Sequence, residues 1–417
     1  MMINMENQVL KAEKMIFGGN CIAKIPQGEN QGKTVLISGA LPNEVVEVEF
    51  VNSTKDYEIA KVVKVIEKSP FRVEPECKYF GLCGGCNLQY AQTDYQVELR
   101  KNILEDAFLS IKNEVDDFVL PEIQVVKDNS WEYRNRFQFH KGGLMESKSN
   151  NSVKIDNCKI ASKEINYFLA DKTSISNPVF QNASRYYMFG YDECLKGAIL
   201  EEKNKKTIVG KTKKKVKSGG KRNIYEGTFL NPESLMSVDV LDKKIMFDVK
   251  GFFQSNVAML EKTIEIIKKD FGGQYLLDMY AGVGTFSTFL SENFTKTILV
   301  EHNRDAISLA EINLHGTNHE SYGVSGEKWV NEYADKIKIE FDGVVIDPPR
   351  SGMEKSVLKW LCSSNIPSIR SVSSDPITHA RDIKELVKNG YQLKELYLLD
   401  YYPQTTHIES LAILEKV

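Results

Sequence analysis

"YLLDMYAGVGTFS", residues 275–287, decides how this chain of 417 residues folds. Its first half is an apolar run that takes in Asp278; Tyr280, Gly282 and Gly284 follow before Thr285. An apolar strand running into a glycine turn and then a helix is the repeating unit of a parallel α/β sheet. Glycine allows the tight turn and the close approach of backbone to a ligand. Taken alone, the glycine pair is either a nucleotide loop or a simple turn. The alternation continues downstream. "KTILVEHN" (296–303) is a strand ending in Glu301, and "DAISLAEINLHG" (305–316) is a helix stopped by glycine. "FDGVVIDPPRSG" (341–352) is a buried strand ending in Asp347. "IRSVSSDP", "YQLKELYLLDYYP" and "HIESLAILEKV" supply further strands. The segment from 251 to 417 therefore reads as a doubly wound α/β domain. Ligands in such sheets sit beyond the carboxyl ends of the strands, where Asp278, Tyr280, Gly282, Gly284, Glu301 and Asp347 fall. Glu301 lies about twenty residues after the glycines, where an acid accepts hydrogen bonds from ribose hydroxyls.

Upstream the pattern differs. Residues 1–68 are rich in β-branched residues broken by Gly, Pro and Asn, as in "GNCIAKIP", "KTVLISGALPNEVVEVEFVNS" and "YEIAKVVKVIEKS". That predicts a small β-barrel of about five strands. Residues 69–250 predict a mixed α+β region, with a helix over "DYQVELRKNILEDAFLSI" (94–111) and short strands such as "EYRNRFQFHKG" and "KTIVGK".

Apolar residues make up 42% and charged residues 27%, as in an ordinary globular protein. There is no membrane-length apolar run and no signal-like N-terminus, so a cytoplasmic protein is expected. A net charge of −3 does not by itself advertise nucleic-acid binding. A local run does: "GKTKKKVKSGGKR" (210–222), with Lys213–Lys215, is either a solvated hairpin tip or an arm that contacts phosphates.

Three of the seven cysteines crowd into "CKYFGLCGGCNLQY": Cys77, Cys83 and Cys86. Cys158, in "KIDNCKI", is a fourth candidate. Thiolates at such spacing bind zinc or an iron–sulfur cluster, and spacing alone does not choose between them. Cys21, Cys194 and Cys362 are read as structural.

The shortened glycine loop, its strand-end acid and the downstream "DPPR" resemble an S-adenosylmethionine methyltransferase more than a dehydrogenase. Further motifs narrow the resemblance to the RNA uracil-C5 methyltransferase family, over nearly the whole chain. "YRNRFQF" (133–139) and "FFQSN" (252–256) are similar to two of its motifs. The resemblance implies an N-terminal OB-like TRAM barrel, the mixed central domain and a C-terminal Rossmann-like seven-stranded domain. It implies a [4Fe–4S] cluster on Cys77, Cys83, Cys86 and Cys158. It implies S-adenosylmethionine held by Gln254, Asp278, Tyr280, Gly282, Gly284, Glu301 and Asp347. From "HIESLAIL" it implies that Glu409 is the proton-abstracting base. The partner would be rRNA or tRNA, with the protein acting as a monomer.

One motif departs. The family pattern Ser-Cys-Asn-Pro reads here as Ser373, Ser374, Asp375, Pro376, continuing through His379 to Ala380, Arg381 and Asp382. The nucleophile position is therefore Ser374. C5 of uracil becomes reactive when a nucleophile adds at C6. A thiol ionises near ~8.5, whereas a hydroxyl, taking water as a stand-in, does so near ~15.7, a gap worth on the order of 10 kcal/mol. Three outcomes stay open: 5-methyluridine formation with Ser374 as a weak nucleophile, methylation at another position, or a silent relative that binds RNA and S-adenosylmethionine.

Overall fold

The structure, a computed structural model, describes residues 7–28, 30–199 and 232–417. The basic run 210–222, with Lys213–Lys215, and the strand expected at "KTIVGK" lie outside the described residues.

The chain is organised around one large sheet. Its strands are β1 (Ile123–Val126), β2 (Gly273–Met279), β3 (Phe294–Val300), β4 (His319–Tyr322), β5 (Gly343–Ile346), β6 (Ser368–Ser373), β7 (Tyr391–Leu399) and β8 (Glu409–Lys416). They lie in the order β4-β3-β2-β5-β6-β8-β7-β1. Neighbours from β4 to β6 are parallel, while β8 runs antiparallel to both β6 and β7. All four residues of β5 are buried, as are the last four of β2 and of β3. Burial on both faces explains why these strands read as mainly apolar runs, broken only by buried Asp278 and Thr297. The seven strands expected after residue 251 are all present. An eighth, β1, joins the edge in parallel with β7 and comes from the central region.

The first helix, α1 (Thr93–Leu109), matches the periodic stretch that predicted it, but it buries Gln96 and Arg100 as well as its apolar residues. In the catalytic half, α2 (Thr285–Leu290) follows the glycine turn and α3 (Lys355–Ser363) follows "DPPR". Last comes α4 (Pro376–Lys388), capped at its N-terminus by Asp375.

The N-terminal segment forms a six-stranded sheet, one strand more than expected. Val35, Ile37, Val46 and Val48 alternate into its core. The Pro-Asn turn places Asn43 at a φ of 67°, a conformation Asn tolerates well. Buried Glu44 accepts from Arg72 Nε at 2.5 Å and Nη2 at 2.7 Å, which ties the sheet to the segment that follows. Cys21 is buried and donates to the Ala40 carbonyl, as a structural thiol should. Cys194 is exposed at the end of a hairpin strand, so it contributes nothing to the core. Cys362 is half-buried on α3 and packs against the main apolar cluster. Among the described residues, no helix is long and apolar enough to cross a membrane.

Candidate active site

A cleft of about 1990 Å³ opens at the carboxyl ends of β2, β3, β5 and β6. Gln254, Tyr280, Gly282, Glu301, Asp347, Ser374 and Glu409 all line it.

The glycine turn shapes one wall. Tyr280 has a φ of +67°, uncommon for a residue with a side chain, so the turn is held by its surroundings. The amides of Tyr280 and Ala281 both donate to the Val300 carbonyl at the end of β3. Tyr280 Oη and the Glu354 amide and carboxylate meet at 3.3 Å. Gly282 has a φ of +55°, and a Cβ there would meet nothing within 4 Å. Its amide donates to Glu301 Oε2 at 3.0 Å, while Glu301 Oε1 accepts from the Asn303 amide at 2.6 Å. Glu301 is thus fixed by backbone donors while remaining on the cleft.

Two residues expected here are elsewhere. Asp278 is buried beneath the turn and does not line the cleft. It accepts from Ser287 Oγ at 2.5 Å and so locks α2 to β2, and burial pushes its carboxyl up to about 7. Gly284 is the N-cap of α2 in the left-handed conformation. It does not line the cleft, and a Cβ there would come within 2.7 Å of Leu314 and 3.0 Å of Ala310, so only glycine allows this close packing.

The opposite wall carries carboxylates. Burial pushes Asp347 up to about 6. Glu409 rises well above the usual carboxylate range, first through burial and then through Asp347 nearby, with Arg350 pulling it back. Two buried acids resist ionising together. Burial, helped by Arg350 and Arg134, lowers His407 to about 4, so it is neutral at pH 7. Burial raises Tyr402 to about 12, which keeps its hydroxyl protonated.

Ser374 follows β6, and the register of β6 with β8 ends at Ser373 opposite Ser410. One residue beyond that last pair, Ser374 and Glu409 both line the cleft. Neither candidate base beside Ser374 is available to it. Asp375 caps α4, its Oδ1 accepting from Ile377 at 3.0 Å and Thr378 at 2.9 Å. His379 is buried between Ser410 Oγ and Ser371 Oγ, and burial lowers it to about 3.

Sequence reasoning gave no role to Glu354, Arg381 or Asp382. Glu354 accepts from the Glu327 amide as well as meeting Tyr280. Asp382 accepts from the Met353 amide and from Arg381, and Arg381 also donates to the Ser351 carbonyl. Together they pin the loop after "DPPR". The Ala-Arg-Asp stretch was the signal for the last two; Glu354 had none. Phe252 is 68% exposed at the cleft, whereas Phe253 is buried and stacks on Phe247 at 4.1 Å.

The four expected metal ligands share one neighbourhood. Burial pushes Cys86 up to about 11 and Cys158 to about 12, and the neighbouring thiols add to each rise. Cys83 is raised too, by burial and by Cys77, while the Gly85 amide donates to its sulfur at 3.4 Å. Among the described residues, however, no three His, Cys, Asp or Glu side chains close into a metal-holding set. The thiols are gathered but not drawn into a ligand cage.

A mainly parallel sheet with a glycine turn, strand-end acids and a carboxylate pair at one cleft is the arrangement of a ligand-binding α/β domain. Comparison with known proteins gives the family. A sequence model of tRNA (uracil-5-)-methyltransferases matches residues 100–417, and the chain belongs to that family of S-adenosylmethionine-dependent RNA methyltransferases. It is 36% identical to an RNA methyltransferase of Treponema denticola, over 99% of this chain and all of that protein. It is 29% identical to the 23S rRNA (uracil(1939)-C(5))-methyltransferase RlmD of Shewanella sediminis, over 93% of this chain and 92% of that one. Its fold is similar to the crystal structure of Pyrococcus abyssi tRNA (uracil-54, C5)-methyltransferase in complex with S-adenosyl-L-homocysteine. The TM-score is 0.68 at 22% identity, covering 98% of this chain and 100% of that one.

Proposed function

We propose that this protein transfers the methyl group of S-adenosylmethionine to C5 of a uridine in rRNA or tRNA, with Ser374 in place of the usual cysteine. The observation that carries the reading is the placement of Ser374 and Glu409 on the same cleft as Gln254, Tyr280 and Glu301. In this reading Glu301 accepts the ribose hydroxyls of the methyl donor, while Gln254, Tyr280, Gly282 and Asp347 seat the rest. The bound donor supplies an electrophilic methyl on a sulfonium. Ser374 Oγ adds to C6 of the uracil as its proton passes to solvent, and C5 takes the methyl as the S–CH3 bond breaks and the donor leaves as a neutral thioether. The Glu409 carboxylate then removes the C5 proton, and the C6–O bond breaks to restore Ser374.

Only ionised Glu409 can accept that proton. Its carboxyl, like that of Asp347, is raised, so the base form is scarce at low pH and grows as pH rises. The methylation rate should therefore climb with pH, with its midpoint above the usual carboxylate range, and then level. A rate that is flat from pH 5 to 8 would contradict the assignment.

The domain plan that goes with this function is a TRAM-like RNA-binding barrel over 1–68, a central domain over 69–250 and the methyltransferase domain over 251–417, acting as a monomer. The gathered thiols, and the amides that donate to Cys83 and Cys158, suit a [4Fe–4S] cluster held by Cys77, Cys83, Cys86 and Cys158. Protein purified without oxygen should contain iron and acid-labile sulfide in equal amounts, with visible absorbance that Cys83→Ser removes. Zinc in place of iron would reject the cluster.

A second reading has its own support: Asp375 Oδ1 caps α4 and His379 is buried between two serines, so neither is hydrogen-bonded to Ser374 as an activating base. Under it the protein is a catalytically altered or inactive relative that binds RNA and S-adenosylmethionine, or one that methylates a different position.

A further inference from the structure

Glu409 emerges from the loop 400–408, which joins β7 to β8. That loop is not held mainly by its own sheet. Gln404 sits at a φ of 69°, left-handed backbone that persists only when its neighbours enforce it. The enforcement comes from residues next to the cysteines. The amides of Asn87 and Leu88, the two residues after Cys86, donate to the Gln404 carbonyl at 3.2 and 3.1 Å. The Asn87 side chain reads Thr406 on both sides: the Thr406 amide donates to Oδ1 at 2.9 Å, and Nδ2 donates to Thr406 Oγ1 at 3.0 Å. A second arm comes from the Cys158 side. The amides of Glu132 and Arg134 donate to the carbonyls of Lys159 and Ile160, and Tyr133, between them, donates from its hydroxyl to the Pro403 carbonyl at 2.8 Å. Helix α1 closes the grip through Gln96, which exchanges two hydrogen bonds of 2.9 Å with Gln404.

We propose that Asn87 and Tyr133 are positioning residues that transmit the state of the four-thiol group to Glu409, by holding the loop from which Glu409 emerges. One arm starts beside Cys86 and the other beside Cys158, so the loop is gripped as intended only when both ends of the thiol set are in place. Loss of the set, through replacement of one thiol or removal of whatever the thiols hold, loosens both arms and shifts Glu409 without touching the methyl-donor wall. The inference rests on the reading of Glu409 as the base at the target uracil.

The test is amide hydrogen exchange over 400–410 in the full-length protein, alongside methyl-transfer kinetics. In Asn87→Ala the Thr406 amide loses its acceptor. Its exchange should quicken about tenfold, and kcat should fall about tenfold, with KM for the methyl donor within about twofold. Asn87→Asp keeps the Oδ1 acceptor and should restore protection at Thr406. Cys83→Ser, or stripping the protein with an iron chelator, should quicken exchange at Gln404 and Thr406 in the same way. Unchanged protection at Thr406 in both Asn87→Ala and the stripped protein would overturn the proposal, as would a fall in donor affinity equal to the fall in kcat. The exchange measurement reads the coupling whether or not wild-type protein makes 5-methyluridine, so failure of the functional reading and failure of this one are told apart.

Discussion

Ser374→Cys is expected to raise the rate of 5-methyluridine formation by at least about a thousandfold. The hydroxyl and thiol differ by roughly seven pKa units, on the order of 10 kcal/mol at full ionisation, and an enzyme recovers part of that by assisting proton loss. Little assistance is on offer here, since Asp375 is spent as a helix cap and His379 lies in the core. The substitution changes one atom at a half-buried position on the cleft, and the backbone that carries it is fixed by β6. The second departure from the family pattern matters less. Asp and Asn cap helices about equally well, and the cap needs only an oxygen to accept from Ile377 and Thr378. Adding Asp375→Asn to Ser374→Cys should change the rate by less than about threefold. Single-turnover assays of the two variants with unmodified RNA measure both effects.

Glu409→Gln carries the second large effect. A positioned base contributes about 10²–10⁴-fold, and glutamine can hold the geometry but cannot take the C5 proton. Methyl transfer should fall by about that factor, while binding of S-adenosylmethionine, which we propose to be made on the wall of Tyr280 and Glu301, stays within about threefold. Isothermal titration with the donor and single-turnover kinetics separate the two. Equal losses of binding and turnover would mean that Glu409 holds the site together rather than serving the base.

Much of the catalytic half was legible because its strands are buried on both faces and end at the ligand site. Apart from Asp278 and Thr297, the runs 276–279, 297–300 and 343–346 are apolar for that reason, and Tyr280, Glu301 and Asp347 follow them into the cleft. Asp278 and Gly284 sit in the same stretch but off the cleft: Asp278 accepts from Ser287, and Gly284 packs against Ala310 and Leu314. A pattern of residue types does not distinguish an acid that faces ligand from one that caps the next helix. Glu354 left no local trace, since its meeting with Tyr280 spans 74 residues. Arg100 was equally hidden. A charged residue in the middle of a helix reads as a solvated face, yet it is 1% exposed and bonded to Asp400 at 2.8 Å across 300 residues. The short run of β1 gave no sign that it completes the large sheet, because an edge strand needs only four residues and a partner.

The measurement that reaches furthest is nucleoside mass spectrometry of unmodified rRNA and tRNA, each incubated with wild-type protein and methyl-labelled S-adenosylmethionine. Label should appear in 5-methyluridine, slowly with Ser374 and far faster in Ser374→Cys. Label in another nucleoside, or none while RNA and S-adenosylmethionine remain bound in both proteins, would contradict uracil-C5 methylation through Ser374.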